Sequence, residues 1–313
     1  MKEKFKKVWE CRDLGAAKEY LGMEIREDRS SGSLIVDQVK YLDKILKRFD
    51  MQDANPANTP LPEKYEPMAS TGKSNPRLRS QYQLVIGSLL YLMLGTRPDI
   101  AFAVIKMSQF SANPTEDHLN HAKYIFRYLR GNRNYGIEYK RSSSLKVEAY
   151  SDADWASDKN DRKSCTGFFV LFNASPVSWV SRKQKTVATS ATEAEYMSLS
   201  DASKQVCWAT TLLKELTVII PPVILYGDNM GSIFLAQNPA QERRTKHIDI
   251  RYHFIRECVQ ERKVLELHHV PTDKQLADVL TKSLGKTKFS GFRDFLVKDL
   301  TRIKSGGVLR NET

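Results

Sequence analysis

Cysteine is scarce in this chain, and what there is does not pair. The 313 residues hold four cysteines, Cys11, Cys165, Cys207 and Cys258, with no Cys-x-x-Cys among them. That spacing excludes a zinc ribbon and a disulfide scaffold, and it fits a reducing compartment. Long hydrophobic runs are missing as well. No stretch approaches the roughly 20 apolar residues of a membrane span, so no membrane partner is expected. Met1 leads into Lys-Glu-Lys-Phe-Lys-Lys, not into the apolar run of a signal peptide. Acid is outnumbered: 37 Asp and Glu face 49 Lys and Arg, a net charge of +12. Such an excess points to a polyanionic partner, most often nucleic acid. Hydrophobic residues make up 41% of the chain, enough for real cores, and the length suits two ordinary domains.

The first half reads as short strands followed by helices. Tyr20 to Arg26 reads as one strand, Gly32 marks a turn, and Ser33 to Asp37 reads as the next strand. Val39, Leu42, Ile45, Leu46 and Phe49 lie on one face of an amphipathic helix. Asn55 to Pro76 is rich in Pro, Asn, Ser and Thr, a long surface connection. Residues 77 to 141 read as helical throughout. Pro98 starts one helix, Asp99 to Phe110, and Pro114 and Thr115 open another that Gly131 closes. On that last helix Lys123, Arg127 and Arg130 fall at spacings of 4 and 3 and share a face. The stripe suits contact with a phosphate backbone, although a basic helical stripe is more commonly just a solvated face.

From residue 144 the pattern changes to three strands, a long helix, a strand, helices, a strand and closing helix. Consecutive strands suggest an antiparallel meander, and the later strand–helix–strand units suggest parallel crossovers, giving a mixed sheet. The first strand alternates Val147, Ala149 and Ser151 with Glu148, Tyr150 and Asp152. It ends in Asp152, with Asp154 two residues on. Ser-Asp-Ala-Asp is also good turn chemistry, so this stretch alone leaves turn and metal site open. The long helix starts at Ser190, where Ser190-Ala-Thr-Glu193 matches a capping box. That leaves Glu195, in step with Leu199, Ala202, Val206, Ala209, Leu213 and Leu216, facing the sheet; a second capping match, Thr192 with Glu195, would make it structural instead. Asp228 stands at the carboxyl end of the next strand, where ligands of such sheets gather. Asp278 lies on the helix after the last strand. Four convergent acids need cations, and all-oxygen ligation suits two Mg²⁺ or Mn²⁺ ions acting on a phosphodiester.

Several stretches carry a family likeness: Tyr150-Ser-Asp-Ala-Asp-Trp-Ala, Ser164-Cys-Thr-Gly-Phe, Val177-Ser-Trp-Val-Ser-Arg-Lys-Gln, Ser190-Ala-Thr-Glu-Ala-Glu-Tyr, Asp228-Asn, Lys246-His-Ile-Asp-Ile-Arg-Tyr-His and Gln275-Leu-Ala-Asp-Val-Leu-Thr-Lys. The region resembles the RNase H domain of copia-type retrotransposon Pol polyproteins. Asp13-Leu-Gly, Tyr20-Leu-Gly-Met-Glu-Ile, Gln38-Val-Lys-Tyr-Leu, Gly87-Ser-Leu-Leu-Tyr-Leu, Thr96-Arg-Pro-Asp-Ile and Tyr128-Leu-Arg-Gly resemble the end of the neighbouring reverse transcriptase and its connection. The resemblance implies an α/β fold, an RNase H-like mixed five-stranded sheet with flanking helices, preceded by a mainly helical thumb and connection fragment. It divides the chain into a palm-end and thumb remnant (1–60), a helical connection (61–143), the RNase H domain (144–300) and a disordered tail (301–313). Its metal-binding and catalytic acids fall on Asp152, Glu195, Asp228 and Asp278. It implies cleavage of the RNA strand of an RNA–DNA hybrid, with the remaining polymerase segments as further partners; in this basic chain Lys123, Arg127, Arg130, Arg243, Arg244 and Lys246 are the expected nucleic-acid contacts. Placement would be cytoplasmic, in a virus-like particle for an active element, or nuclear.

Two departures from the family qualify this. No Asp-Asp pair of the polymerase type occurs in the chain, so DNA synthesis is not expected. The mobile histidine of cellular RNases H has only His268 and His269 as counterparts, both in an expected strand, and His247 and His253 read as packing or phosphate contacts. A silent nucleic-acid-binding remnant and a scaffold for protein contacts are the competing readings.

Overall fold

In a computed structural model, residues 6–12, 15–142, 145–216, 222–238 and 254–303 are described. Two five-stranded sheets organise them. The first is antiparallel and begins with β1 (Glu19–Tyr20), β2 (Met23–Asp28) and β3 (Ser33–Asp37). The single strand expected over residues 20 to 26 is therefore a hairpin. Leu21 and Gly22 turn the chain at φ 48° and 68°, a left-handed pair that glycine makes accessible. Helix α1 (Val39–Arg48) follows and buries Leu42, Ile45 and Leu46, as its periodicity predicts.

Helix α2 (Pro76–Gly95) is capped by Asn75, whose side chain accepts from the backbone N–H groups of Arg77 and Leu78, with Pro76 at the first position. The helix expected from Asp99 opens as a 3₁₀ turn, Pro98–Ile100, and continues as α3 (Ala101–Ser108). Helix α4 (Glu116–Gly131) is capped by Thr115, and His118 returns the bond to the Thr115 N–H at 3.0 Å. Residues 135–140 were expected to be helical but form strand β4 (Tyr135–Lys140), paired antiparallel with β3. Tyr135, Ile137 and Tyr139 alternate with Gly136, Glu138 and Lys140, and free backbone on β3 completes the ladder; the alternation is the signal the helical reading overlooked.

The second sheet is the mixed one. Strands β5 (Val147–Asp154), β6 (Cys165–Phe172) and β7 (Ser175–Lys183) form the antiparallel meander. β8 (Val223–Gly227) runs parallel to β5, and β9 (Leu265–His269) runs parallel to β8. The order is β7-β6-β5-β8-β9. Helix α5 (Ala191–Glu215) covers one face through Leu199, Ala202, Val206 and Leu213, packed on Ala149, Phe168, Val170 and Leu225. Leu216, the last residue of its expected inward stripe, is exposed, because the helix has run past the sheet. Helix α6 (Met230–Gln237) follows β8. Of the helix expected from Lys246 to Arg262, the described part closes in a π-helical turn, Glu257–Glu261.

The opposite face of the mixed sheet does not have a core of its own. Phe169, Leu171, Val279 and Leu280 pack into the same apolar cluster as Tyr82, Leu89, Ile125 and Tyr128 of the helical layer. Helix α7 (Lys286–Leu296) adds Phe289, Phe292 and Leu296, and β10 (Lys298–Asp299) then joins β4 in the first sheet. Polar ties reinforce the seam. The Trp179 indole donates to Met93 O (2.8 Å), the Ser175 hydroxyl to Glu138 O (2.6 Å) and the Tyr139 hydroxyl to Pro176 O (2.8 Å). A buried ion pair sits within the layer. Arg97 grips Asp99 at 2.7 and 2.9 Å and donates to Asn132 O, while the Tyr128 hydroxyl donates to Asp99 at 2.6 Å.

Candidate active site

The site begins with a glycine. Asp152 on β5 lies opposite Gly167 on β6. A Cβ on Gly167 would stand 2.6 Å from Thr281 Cγ2 and 2.7 Å from Leu280 Cβ. Only glycine therefore lets the 3₁₀ helix Leu276–Leu280 settle onto the sheet at this point. That approach brings Thr281 within reach of Asp152, and the Thr281 hydroxyl donates to Asp152 Oδ2. The backbone is fixed on the other face. Ser198 Oγ donates to Asp152 O at 2.8 Å, Ser151 Oγ donates to Ser198 Oγ at 2.8 Å, and Gln275 Nε2 donates to Ser151 O at 3.0 Å. Asp152 is 1% exposed.

The amino end of α5 supplies the second acid. Ser190 caps the helix by accepting from the Glu193 N–H at 3.1 Å. The Glu193 carboxylate reaches back one residue further than a capping box requires, accepting from the Thr189 N–H at 2.8 Å and from its hydroxyl. Glu193 is thus occupied in holding the helix start. Glu195 is left buried against the sheet end, where the Ala153 N–H bonds it. Asp228 follows β8 directly and is half-buried.

Asp152, Glu195 and Asp228 each offer a carboxylate oxygen, and these atoms lie within 4.8 Å of one another. Burial pushes the Asp152 carboxyl up to about 6, with Lys282 pulling the other way and Asp278 and Asp228 adding repulsion. Burial, then the charges of Asp152 and Asp228, hold Glu195 well above the usual carboxylate range. Burial also raises Asp154, against the pull of Lys282. Three carboxylates that repel one another, two buried and one half-buried, form a donor set of hard oxygens alone, which suits Mg²⁺ or Mn²⁺ and not zinc.

Asp278 stands apart from the three. It is 1% exposed and engaged by two ammonium groups, Lys282 Nζ at 2.6 Å and Lys288 Nζ at 2.5 Å. Lys282 Nζ also lies 3.2 Å from Asp152 Oδ2, so it bridges the two aspartates. Burial would lower the Lys282 ammonium, but Asp152 and Asp278 outweigh it and raise it. Of the four expected acids, three bring ligand atoms within 4.8 Å of one another, and Asp278 is joined to Asp152 through Lys282. Thr281, Lys282 and Gly167 lie within the quoted family stretches but carry no role of their own in the sequence reading, and Lys288 lies outside them. Only the spacing of four between Asp278 and Lys282 could have hinted at one of these contacts.

The basic stripe is also partly engaged. Arg127 Nε donates to Asn55 O at 2.8 Å and Arg130 Nε to Gln52 O at 2.7 Å, so both pin the segment after α1. Lys123 is half-buried on the same helix. Arg243, Arg244, Lys246, His247 and His253 lie outside the described residues. His268 is exposed, with Nε2 3.4 Å from Glu266 and its ring edge-on to Tyr226 at 6.1 Å; His269 is exposed as well. The thiols of Cys207 and Cys258 are 3.2 Å apart, a proximity their spacing of 51 residues does not announce.

An antiparallel meander whose first strand continues into parallel partners, with acids at the end of that strand, at the start of the following helix and after the fourth strand, defines an RNase H-type domain. No family model matches the chain. Over 276 residues, 87% of this chain and 18% of the relative, it is 43% identical to the retrovirus-related Pol polyprotein from transposon RE1 of Arabidopsis thaliana. Over 295 residues, 92% of this chain and 22% of the relative, it is 38% identical to that from transposon TNT 1-94 of Nicotiana tabacum. The chain belongs to the retrovirus-related Pol polyproteins of transposons, and it spans about a fifth of the length of these relatives. Among solved structures, a crystal structure of LC11-RNase H1 in complex with an RNA/DNA hybrid is 16% identical, matches 44% of this chain and 94% of that one, and superposes with a TM-score of 0.34.

Proposed function

We propose that the chain carries a metal-dependent ribonuclease H activity that cleaves the RNA strand of an RNA–DNA hybrid within a transposon Pol segment. The observation that carries this reading is the group of buried Asp152 and Glu195 with half-buried Asp228, whose ligand atoms converge within 4.8 Å. Membership in the Pol polyprotein family supports it. Asp152, Glu195 and Asp228 would hold divalent ions, with Asp278 the candidate fourth ligand. Bound there, Mg²⁺ or Mn²⁺ ions would activate a water and stabilise the leaving oxygen of a phosphodiester.

The protein's own part is preorganisation. Thr281 and Ser198 fix Asp152 from its side chain and its backbone, so little rearrangement is left for the reaction step. Ala153 orients Glu195. Burial of the acids keeps bulk water from screening them. The test is cleavage of a labelled RNA–DNA hybrid by the purified chain with Mg²⁺ and with EDTA, beside duplex DNA and duplex RNA. Metal-dependent shortening of the RNA strand of the hybrid alone is the expected result. A chain that binds the hybrid and leaves it intact at every metal concentration would be a silent binding remnant.

A further inference from the structure

Building on that reading, we propose that Lys282 is a built-in competitor for the second metal ion: its ammonium stands where a cation shared by Asp152 and Asp278 would stand. The two halves of the acid group are treated differently by the fold. Asp152, Glu195 and Asp228 converge with ligand oxygens within 4.8 Å, and Glu195 and Asp228 have no lysine ion-paired to them among the described residues. Asp278, on the other side of Asp152, has each oxygen taken by a lysine, Oδ1 by Lys282 at 2.6 Å and Oδ2 by Lys288 at 2.5 Å.

Lys282 is in the more decisive place. Its Nζ sits 3.2 Å from Asp152 Oδ2 and 2.6 Å from Asp278 Oδ1, so one positive charge is shared between the two carboxylates that a bridging ion would need. The side chain is about one-third exposed, enough for the ammonium to swing toward solvent when displaced. Lys288 has the same freedom from helix α7. A divalent ion at the Asp152–Glu195–Asp228 group meets Lys282 only at its Asp152 edge, because no lysine is ion-paired to Glu195 or Asp228 among the described residues. An ion at the Asp152–Asp278 side must first evict an ammonium and then lie near it, which costs Coulomb energy. The chain should therefore bind divalent metal in two steps, one tight and one weakened by Lys282, with the weak step setting the metal concentration at which both ions are present.

The test is direct metal binding, read by the EPR signal of free Mn²⁺ and by calorimetry on the full chain without nucleic acid. Wild-type protein should show one tight and one weaker class of site, and Asp228→Asn should remove the tight class. Lys282→Met keeps the length of the side chain and removes the charge, and it should tighten the weaker class at least about tenfold while leaving the tight class within about threefold. Lys288→Gln, at a more exposed position, should tighten it by a smaller factor, and it decides the matter should Lys282→Met fail to fold by circular dichroism. Two classes of site that neither variant shifts would overturn the role of Lys282 and leave the nuclease reading intact. No Mn²⁺ bound at millimolar concentration would overturn both.

Discussion

Asp152 is the residue on which most of the site converges, since it belongs to the three-acid group and to the bridge with Asp278. Asp152→Asn preserves shape and hydrogen bonding to Thr281 but removes the charge that holds cations. Hybrid cleavage should fall on the order of 10³-fold or more, and a loss under tenfold would remove Asp152 from the metal set. Asp278→Asn should cost less, because lysines already neutralise that carboxylate, and Mn²⁺ should restore part of the rate. Glu195→Gln should be severe and Glu193→Gln mild, because a glutamine oxygen can still accept from Thr189. The reverse order would exchange the roles of the two glutamates. The raised Asp152 and Glu195 carboxyls also fix a pH dependence. Groups that hold protons more tightly folded than unfolded destabilise the fold as they lose them. Metal-free stability should therefore fall as pH rises from the ordinary Asp value of 3.8 through about 6. Melting in EDTA across that window should show the decline, and Mg²⁺ should raise the melting temperature more at neutral pH than below pH ~5, where the carboxyls are protonated. An equal Mg²⁺ effect at both would mean that these acids do not hold it.

At the scale of single elements, local signals are legible in the sequence and contacts across the chain are not. Ser190, Thr115 and Pro98 announce their helix starts because capping is decided within three or four residues. The acids at Asp152, Glu195 and Asp228 were legible because strand ends and helix phase can be counted along the chain. The lysine bridge was not, since Lys282 and Asp152 are 130 positions apart and meet only because Gly167 admits the last 3₁₀ helix. The β1–β2 hairpin was hidden by an apolar run that continues through its turn. The stripe on α4 gives a prediction specific to that helix. Arg127→Ala and Arg130→Ala should each destabilise the chain by about 1 kcal/mol by leaving the Asn55 or Gln52 carbonyl without its guanidinium donor. Urea unfolding measures this. Lys123→Glu should instead weaken hybrid binding and flatten its salt dependence, since a lost phosphate contact releases fewer counterions. A salt slope unchanged in Lys123→Glu would show that its face of the helix is merely solvated.

For the molecule as a whole, the decisive feature is that the helical layer and the mixed sheet share a core. Residues 76–131 and 145–299 should unfold in one cooperative transition, seen alike by far-ultraviolet circular dichroism and tryptophan fluorescence. Two separated transitions would mean that the seam through Trp179, Ser175 and Tyr139 is weaker than its hydrogen bonds suggest. The margin at the amino-terminal side is looser: Val8, Trp9, Tyr20 and Leu21 are all exposed, Trp9 by 65%. Amides of residues 6–28 should exchange with solvent well before those of β5 and α5. The short pairing of β10 with β4 has one more consequence, which concerns the order of events during synthesis. The first sheet has β3 and β4 in place by residue 140, yet β4 gains its last neighbour only from residues 298 and 299. A nascent chain must therefore carry an unzipped strand edge through the making of the whole mixed sheet, and it can close that edge only once residues 298 and 299 have been made.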